Sequence, residues 1–376
     1  MEEFNSLEEV ATNIQNKLDA QTDKKRIIAI YAFNGIGKTR LSNQIGNSES
    51  DNTQGDWENE WIKKISYNAF FEDIFTWDNE NYILHFNKNH EIIKLVQDQW
   101  LETKIIDNFR DIMGGQSIKI EPAFDFDGEE VKFKIASGDD DSTNSIKISR
   151  GEESIFVWSV FYTILEEVVS ELSTNEADRS IDKFNHLEYI VIDDPVSSID
   201  DTRIITVALK LIEVIKSNQN NQIKFLITTH HALFFNVLVN SINRIVRKKK
   251  WKYNFESYIL LRNNDKLNLK SQNESPFWYH IILKKIIQDA ITSQNIEKYH
   301  FNLFRALLEK TSNFLWYNDW DECLENNHNK GRLKHCLQIY SHNRLSELEW
   351  RELPDDDKNL LAEAFESFIT NFKWEK

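Results

Sequence analysis

Four short segments of this chain place residues of chemically useful type at useful spacing. The first is AFNGIGKT, Ala32–Thr39, followed by Arg40. A loop of this kind lets the backbone N–H groups of Asn34, Gly35, Ile36 and Gly37 wrap phosphate oxygens. Lys38 can then reach the β and γ oxygens, and Thr39 can ligate Mg²⁺. The full pattern asks for Gly where Ala32 stands. The second is YIVIDDP, an apolar strand ending in Asp193 and Asp194. Two carboxylates beside a core are costly unless they are used. Asp193 suits Mg²⁺ held through water, and Asp194 suits a base that orients an attacking water. VSSIDD follows directly, and then FLITTHH offers His230 to a terminal phosphate.

The other two segments lie in the last third. RIVRKKKWKY carries Arg244, Arg247, Lys248, Lys249, Lys250 and Lys252 interleaved with Trp251 and Tyr253. Lys and Arg neutralise phosphates and aromatics stack on unpaired bases, so the stretch reads as an RNA-binding site or as a solvated basic turn. FRALLEKTSNFLWY sets Arg305 and Glu309 one helical turn apart, a spacing that more often makes a surface ion pair. IYSHNR, with His342, lies further on. His231, His280, His300 and His335 read as scaffold or surface residues, and Asp319 and Asp321 as turn or capping residues.

These residues need a frame. Arg26–Ala32, Trp61–Asn68, His186–Asp193 and Ile223–Thr228 read as strands; Lys38–Ile45, Ile92–Ile112, Gly151–Leu172 and Thr202–Ser217 read as helices. Residues 1–24 also read as helical, and the alternating EVKFKIA and the IKIS segment as strands. Strands alternating with helices predict an α/β layered domain with a largely parallel core. After about residue 240 the pattern changes: Tyr253–Lys270 reads as strands, Pro276–Tyr317 and Lys358–Trp374 as helices. Domains are therefore expected at 1–240 and 241–376.

The chain has 376 residues, 40% hydrophobic and 28% charged, an ordinary globular mix. Its net charge of −16 argues against a protein that coats nucleic acid with its whole surface. Between Asn240 and Lys310, however, 14 Lys and Arg stand against 6 Asp and Glu, a local basic segment suited to a polyanion. Cys323 and Cys336, the only two cysteines, fit neither a disulfide framework nor a zinc pattern. No run of about 18 apolar residues exists and the N-terminus is acidic, so a cytoplasmic protein with no membrane span is expected.

The order of the head motifs resembles the ABC ATPase superfamily in its cytosolic, repair-like branch. AFNGIGKT looks like Walker A, YIVIDD like Walker B, SSID with Asp200 like the D-loop, and His230 like the switch histidine. ISRGEE looks like the signature motif, with Ser149, Gly151 and Glu152 implied at the nucleotide. Ala32, Arg150 and Asp194 depart from the family pattern, Asp194 replacing the usual Glu. Asn68 is the nearest stand-in for the Q-loop glutamine. The resemblance implies binding of ATP or GTP with Mg²⁺ between two subunits, hence a homodimer or higher homo-oligomer. The stretch from Walker A to the signature spans about 110 residues without sustained heptads, so no long coiled coil is expected.

The wording IDDPVSSIDD, ITTHHALFF and SPFWYH, with Arg-x-x-x-Glu and a later His, resembles the PrrC-type anticodon nucleases. These pair an ABC-type head with a C-terminal ribonuclease and cleave a tRNA anticodon loop in phage defence. The resemblance implies a catalytic trio of Arg305, Glu309 and His342, a tRNA-choosing segment near Lys270–Phe277, and restraint by a restriction-modification complex. Two other readings stay open: a sensor ATPase that controls a separate effector, and a repair-type head acting on DNA ends.

Overall fold

The computed structural model describes residues 2–20, 25–46, 62–114, 120–135, 145–218, 223–247, 253–263, 266–272, 279–324, 329–341 and 353–372. In chain order the strands are β1 (Glu2–Phe4), β2 (Lys25–Ala32), β3 (Lys64–Tyr67), β4 (Phe75–Asp78), β5 (Ile83–Phe86), β6 (Ile120–Asp125), β7 (Glu130–Ile135), β8 (Tyr189–Asp193), β9 (Lys224–Thr229), β10 (Tyr253–Asn263) and β11 (Lys266–Ser271). The helices are α1 (Leu7–Asp19), α2 (Lys38–Gln44), α3 (Ala69–Glu72), α4 (Glu91–Asp98), α5 (Glu102–Met113), α6 (Arg150–Leu172), α7 (Asp201–Ser217), α8 (Ala232–Arg247), α9 (Tyr279–Thr292), α10 (Lys298–Leu315), α11 (Lys330–Ser341) and α12 (Asp355–Asn371). The fold is mixed α/β, with a helical C-terminal part.

The chain divides into two compact units, Met1–Pro276 and Phe277–Lys376. The first contains a seven-stranded sheet in the order β1-β11-β10-β2-β9-β8-β3. The central pairs β10·β2, β2·β9, β9·β8 and β8·β3 are parallel, and β1 and β11 pair antiparallel at one edge. Strands β2, β8 and β9 are near-continuous apolar runs because helices cover both faces of a parallel sheet. Ile27, Ile30, Ile190, Ile192, Phe225 and Ile227 are all fully buried there. The register pairs Asp193 with Thr228, and Tyr31 with Thr229. The carboxyl ends of β2, β8 and β9 therefore open at one edge, where ligands of open α/β sheets bind.

Helix α6 runs through the unit's interior. Its residues Ile155 to Leu165 are buried on every face, as expected of a core helix. Phe156 packs its ring against Phe75, Phe109, Phe124 and Phe133. Trimming such a residue to Ala costs about 3–5 kcal/mol. Phe75 and Phe133 belong to an antiparallel sheet ordered β4-β5-β7-β6. In the second unit Phe304 of α10 packs against Phe365 and Phe368 of α12.

The structure corrects several readings of the sequence. The break between units falls at Pro276, not near residue 240, because β10 lies beside β2 in the head sheet, pairing Tyr253 through Leu260 with Lys25 through Ala32. Ile92–Ile112 is two helices, since Trp100 adopts a left-handed φ of 53° between α4 and α5. Residues 2–4 form a strand ahead of α1. IKIS adds no strand, although the Ile146 N–H donates to the Phe133 carbonyl at 2.8 Å.

Candidate functional site

The loop between β2 and α2 turns through two glycines with left-handed backbone, Gly35 at φ 83° and Gly37 at 109°. A side chain is strained in such a conformation, and at Gly37 an added Cβ would also meet Leu7 Cδ2 at 2.9 Å. The turn aims Lys38 back across the loop. Its ammonium is buried, donates to Asn34 Oδ1 at 3.0 Å and lies 3.4 Å from Asp194 Oδ2. Ile36 is buried, whereas Asn34, Thr39 and Arg40 are exposed.

The two acids at the end of β8 have different surroundings. Asp193 is 6% exposed. Its Oδ2 accepts from the Thr39 hydroxyl at 2.6 Å and its Oδ1 from the Thr228 hydroxyl. Burial pushes its carboxyl above the ordinary carboxylate range, despite those two bonds, and the Asp194 charge adds to the rise. Asp194 stands at φ 55°, a left-handed conformation that Asp tolerates better than most residues. Its Oδ1 accepts from the Thr229 hydroxyl and the His230 N–H, both at 3.2 Å, and its Oδ2 lies 2.5 Å from His230 Nδ1. Burial would raise its pKa as well, but the His230 bond and the Lys38 charge outweigh burial and hold it low. One acid thus resists ionisation while its neighbour favours it. An ionised Asp194 fixes the His230 proton on Nδ1.

Ser149 caps α6 in a reciprocal box: the Glu152 N–H donates to Ser149 Oγ at 3.3 Å and Glu152 Oε2 accepts from the Ser149 N–H at 2.6 Å. Gly151 approaches the Ser197–Asp200 segment so closely that a Cβ would sit 3.2 Å from the Ser198 carbonyl. Asp200 caps α7, accepting from the Thr202 and Arg203 N–H groups at 3.1 and 3.2 Å. A cleft of about 530 Å³ opens beside this segment, lined by Glu72, Trp77, Lys147, Arg150 and Glu153 among others. Burial raises the carboxyls of both Glu72 and Glu153. Asn68 Nδ2 lies 3.4 Å from Asn43 Oδ1, within the head but in a different contact.

In the second unit Arg305 Nε donates to Glu309 Oε1 at 2.9 Å along α10. His300 is 2% exposed, its Nδ1 accepts from the Glu297 N–H at 2.9 Å, and burial brings its pKa down to about 4, so it is a neutral structural histidine. Burial and Lys310 also lower the pKa of His280. His342 lies outside the described residues, as do Lys248, Lys249, Lys250, Trp251 and Lys252. Arg244 is exposed on α8, and Arg247 closes that helix.

Several residues of these sites were not picked out by sequence reasoning. Thr228 and Thr229 hold the two acids, and their adjacency to His230 in ITTHH was a usable signal. Trp320 gave none, because it comes to Arg305 only through the fold: the guanidinium carbon lies 5.5 Å from the Trp320 ring centroid.

No protein-family model matches the chain. A protein of Escherichia coli named "Anticodon nuclease" is 34% identical over 362 residues, which cover 92% of this chain and 89% of that protein. The chain belongs to the anticodon nuclease family. Among solved structures, the SMC head domain from Thermotoga maritima aligns with 66% of this family member and 90% of its own length, at 12% identity and a TM-score of 0.30. An SMC head bound to the C-winged helix domain of ScpA aligns with 49% and 46%, at 10% identity and a TM-score of 0.29. Among the described residues of this anticodon nuclease relative, no helix is long and apolar enough to cross a membrane.

Proposed function

We propose that this chain is a nucleotide-gated tRNA anticodon nuclease: a metal-independent endoribonuclease of anti-phage defence, controlled by an ATP- or GTP-binding head. The observation that carries it is the 34% identity to an anticodon nuclease across both units.

The head residues suit Mg-nucleotide. Thr39 and Asp193 present a hydroxyl and a carboxylate 2.6 Å apart, a hard oxygen pair of the kind magnesium takes. Mg²⁺ bound there would neutralise phosphate charge. The loop of Asn34, Gly35, Ile36, Gly37, Lys38, Thr39 and Arg40 would cradle the phosphates, with Lys38 turning from Asp194 to the terminal ones. Asp194 would orient the attacking water, steadied by His230. Ser149, Gly151 and Glu152 of a second copy, with its Asp200 segment, would complete the site, making a homodimer or larger homo-oligomer the closed form.

In the effector unit the 2′-hydroxyl of the target nucleotide loses its proton to a base, and O2′ attacks the adjacent phosphorus. The bond from phosphorus to O5′ breaks and an acid protonates the leaving oxygen, giving a 2′,3′-cyclic phosphate and a 5′-hydroxyl. Glu309 and His342 share the base and acid roles, and Arg305 stabilises the charge on phosphorus. The Arg305–Glu309 pair is partly exposed and worth about 1 kcal/mol or less to stability, so exchanging it for contacts with RNA costs the fold little. Arg244, Arg247, Lys248, Lys249, Lys250 and Lys252 with Trp251 would grip the anticodon stem-loop. The setting is the cytoplasm, with a restriction-modification complex as the restraining partner.

The test is a gel of total tRNA after brief expression of the natural chain, Arg305→Ala and His342→Ala, with end-group analysis of any fragment. A fragment pair ending in cyclic phosphate and 5′-hydroxyl, seen only with the natural chain, is expected. Intact tRNA with purified natural chain and nucleotide, while nucleotide is hydrolysed, would replace this reading by a sensor ATPase.

A further inference from the structure

Trp320 opens a short 3₁₀ turn, Trp320–Leu324, between α10 and α11. Its indole receives cations from both helices. The Arg305 guanidinium carbon lies 5.5 Å from the ring centroid and Lys334 Nζ lies 5.8 Å from it. Both distances fall within the reach of cation–π attraction, about 6 Å. One aromatic ring is therefore a shared contact of two cations carried on different helices. Each cation also has its own carboxylate. Arg305 bonds Glu309 at 2.9 Å, and Lys334 bonds Asp321 at 2.5 Å with Asp319 at 3.8 Å. Lys330 adds a weaker approach to Asp321 at 3.9 Å.

Stability alone does not account for this convergence. Exposed ion pairs contribute about 0–1 kcal/mol wherever they form, and Lys334 could pair with Asp321 without sharing a ring with Arg305. RNA cleavage does account for it. A phosphodiester carries one negative charge, and the pentacoordinate phosphorus formed by O2′ attack carries more. A single Arg balances the first charge, and a second cation is needed for the charge that develops.

We infer that Lys334 is the second cation of the RNA-cleavage site, contacting substrate phosphate beside Arg305, and that Trp320 is the positioning residue for both. The inference rests on the nuclease reading above. Asp321 keeps Lys334 in place until RNA phosphate takes over as its partner.

The test uses the full chain and a synthetic anticodon stem-loop RNA, measuring kcat, KM and the salt dependence of Kd. Lys334→Ala should lower kcat/KM about tenfold or more, the scale of a charge-assisted hydrogen bond. It should also flatten the slope of log K against log salt by about 0.7, the single-strand value for one phosphate. Lys334→Arg should recover most of the loss. Trp320→Phe keeps a π face and should cleave better than Trp320→Leu. Asp321→Asn breaks the same ion pair but keeps the cation, so it should bind RNA as well as the natural chain or more tightly. Equal impairment by Asp321→Asn and Lys334→Ala would make the pair structural and overturn the inference. So would a Lys334→Ala chain with natural kcat/KM and salt slope. A natural chain that leaves the RNA intact would instead overturn the nuclease reading itself, and this assignment with it.

Discussion

Replacing Asp193 with Asn should stabilise the nucleotide-free chain while abolishing its response to Mg-nucleotide. The side chain is 6% exposed, and burial raises its pKa more than the Thr228 and Thr39 hydroxyls lower it. The native state therefore binds this proton more tightly than the unfolded chain does. The resulting penalty is absent below the unfolded-state pKa, grows as pH rises towards the raised native pKa, and is complete above it. Asparagine carries no charge, so it escapes the penalty and the repulsion from Asp194. It keeps one carbonyl acceptor, and a threonine hydroxyl can rotate to accept from its amide. A net gain of about 1 kcal/mol corresponds to a Tm rise of about 2–4 °C for a unit of this size. The gain should shrink as the pH is lowered through the raised native pKa and vanish below the unfolded-state value. For the natural chain, Mg-nucleotide at a hundred times its Kd should add about 2.7 kcal/mol, and for Asp193→Asn almost nothing. Scanning calorimetry in EDTA, and again with Mg-nucleotide, measures both effects. A lower Tm in EDTA together with an intact Mg-dependent shift would refute the reasoning.

Two further outcomes are expected. Gly151→Ala places a methyl 3.2 Å from the Ser198 carbonyl; it should change the melting temperature little but slow nucleotide hydrolysis, read by phosphate release, because the D-loop backbone must give by a few tenths of an ångström. Asp357→Ala removes the acceptor of Arg332 at 2.8 Å and of the Tyr340 hydroxyl at 2.9 Å. It should destabilise the second unit by about 1–3 kcal/mol, seen as an earlier urea transition of that unit with nucleotide binding unchanged.

The strands and turns that carry the candidate residues of the first unit were legible in the sequence because their signals are local. Lys38 and Thr39 follow their glycines directly, Asp193 and Asp194 end an apolar run, and His230 ends another, so a strand-to-loop pattern placed each one. What the pattern could not supply was partnership across the sheet. Tyr253–Lys270 read as strands, but nothing local said that β10 would lie beside β2 and belong to the head. β1 is three residues long, too short for a periodic signal, and exists through its pairing with β11. The amphipathic rhythm of Ile92–Ile112 hid the turn at Trp100, because α4 and α5 both bury one apolar face. In the second unit the spacing of Arg305 and Glu309 was visible. The meeting of Arg305 and Lys334 on the Trp320 ring was not, since it depends on how the fold brings α10, the Trp320 turn and α11 together.

The pairing of Glu2–Phe4 with Leu267–Leu269 sets an order of birth. A ribosome emits the N-terminal strand first, yet the sheet edge it joins is made only near the end of the head. Contacts so far apart in sequence form slowly. The hundred residues Phe277–Lys376 come afterwards and take about 5–20 s to synthesise. During that interval every strand of the head is already out of the polymerising centre. The helix bearing Arg305 and Glu309 therefore emerges on a chain that already holds the described strands of the first unit. A message cut short ahead of β10 would yield a head with β2 as a bare edge and no Arg305 at all. Translation order thus ensures that a nascent chain cannot display the helix bearing Arg305 and Glu309 before the strands of the first unit have been made.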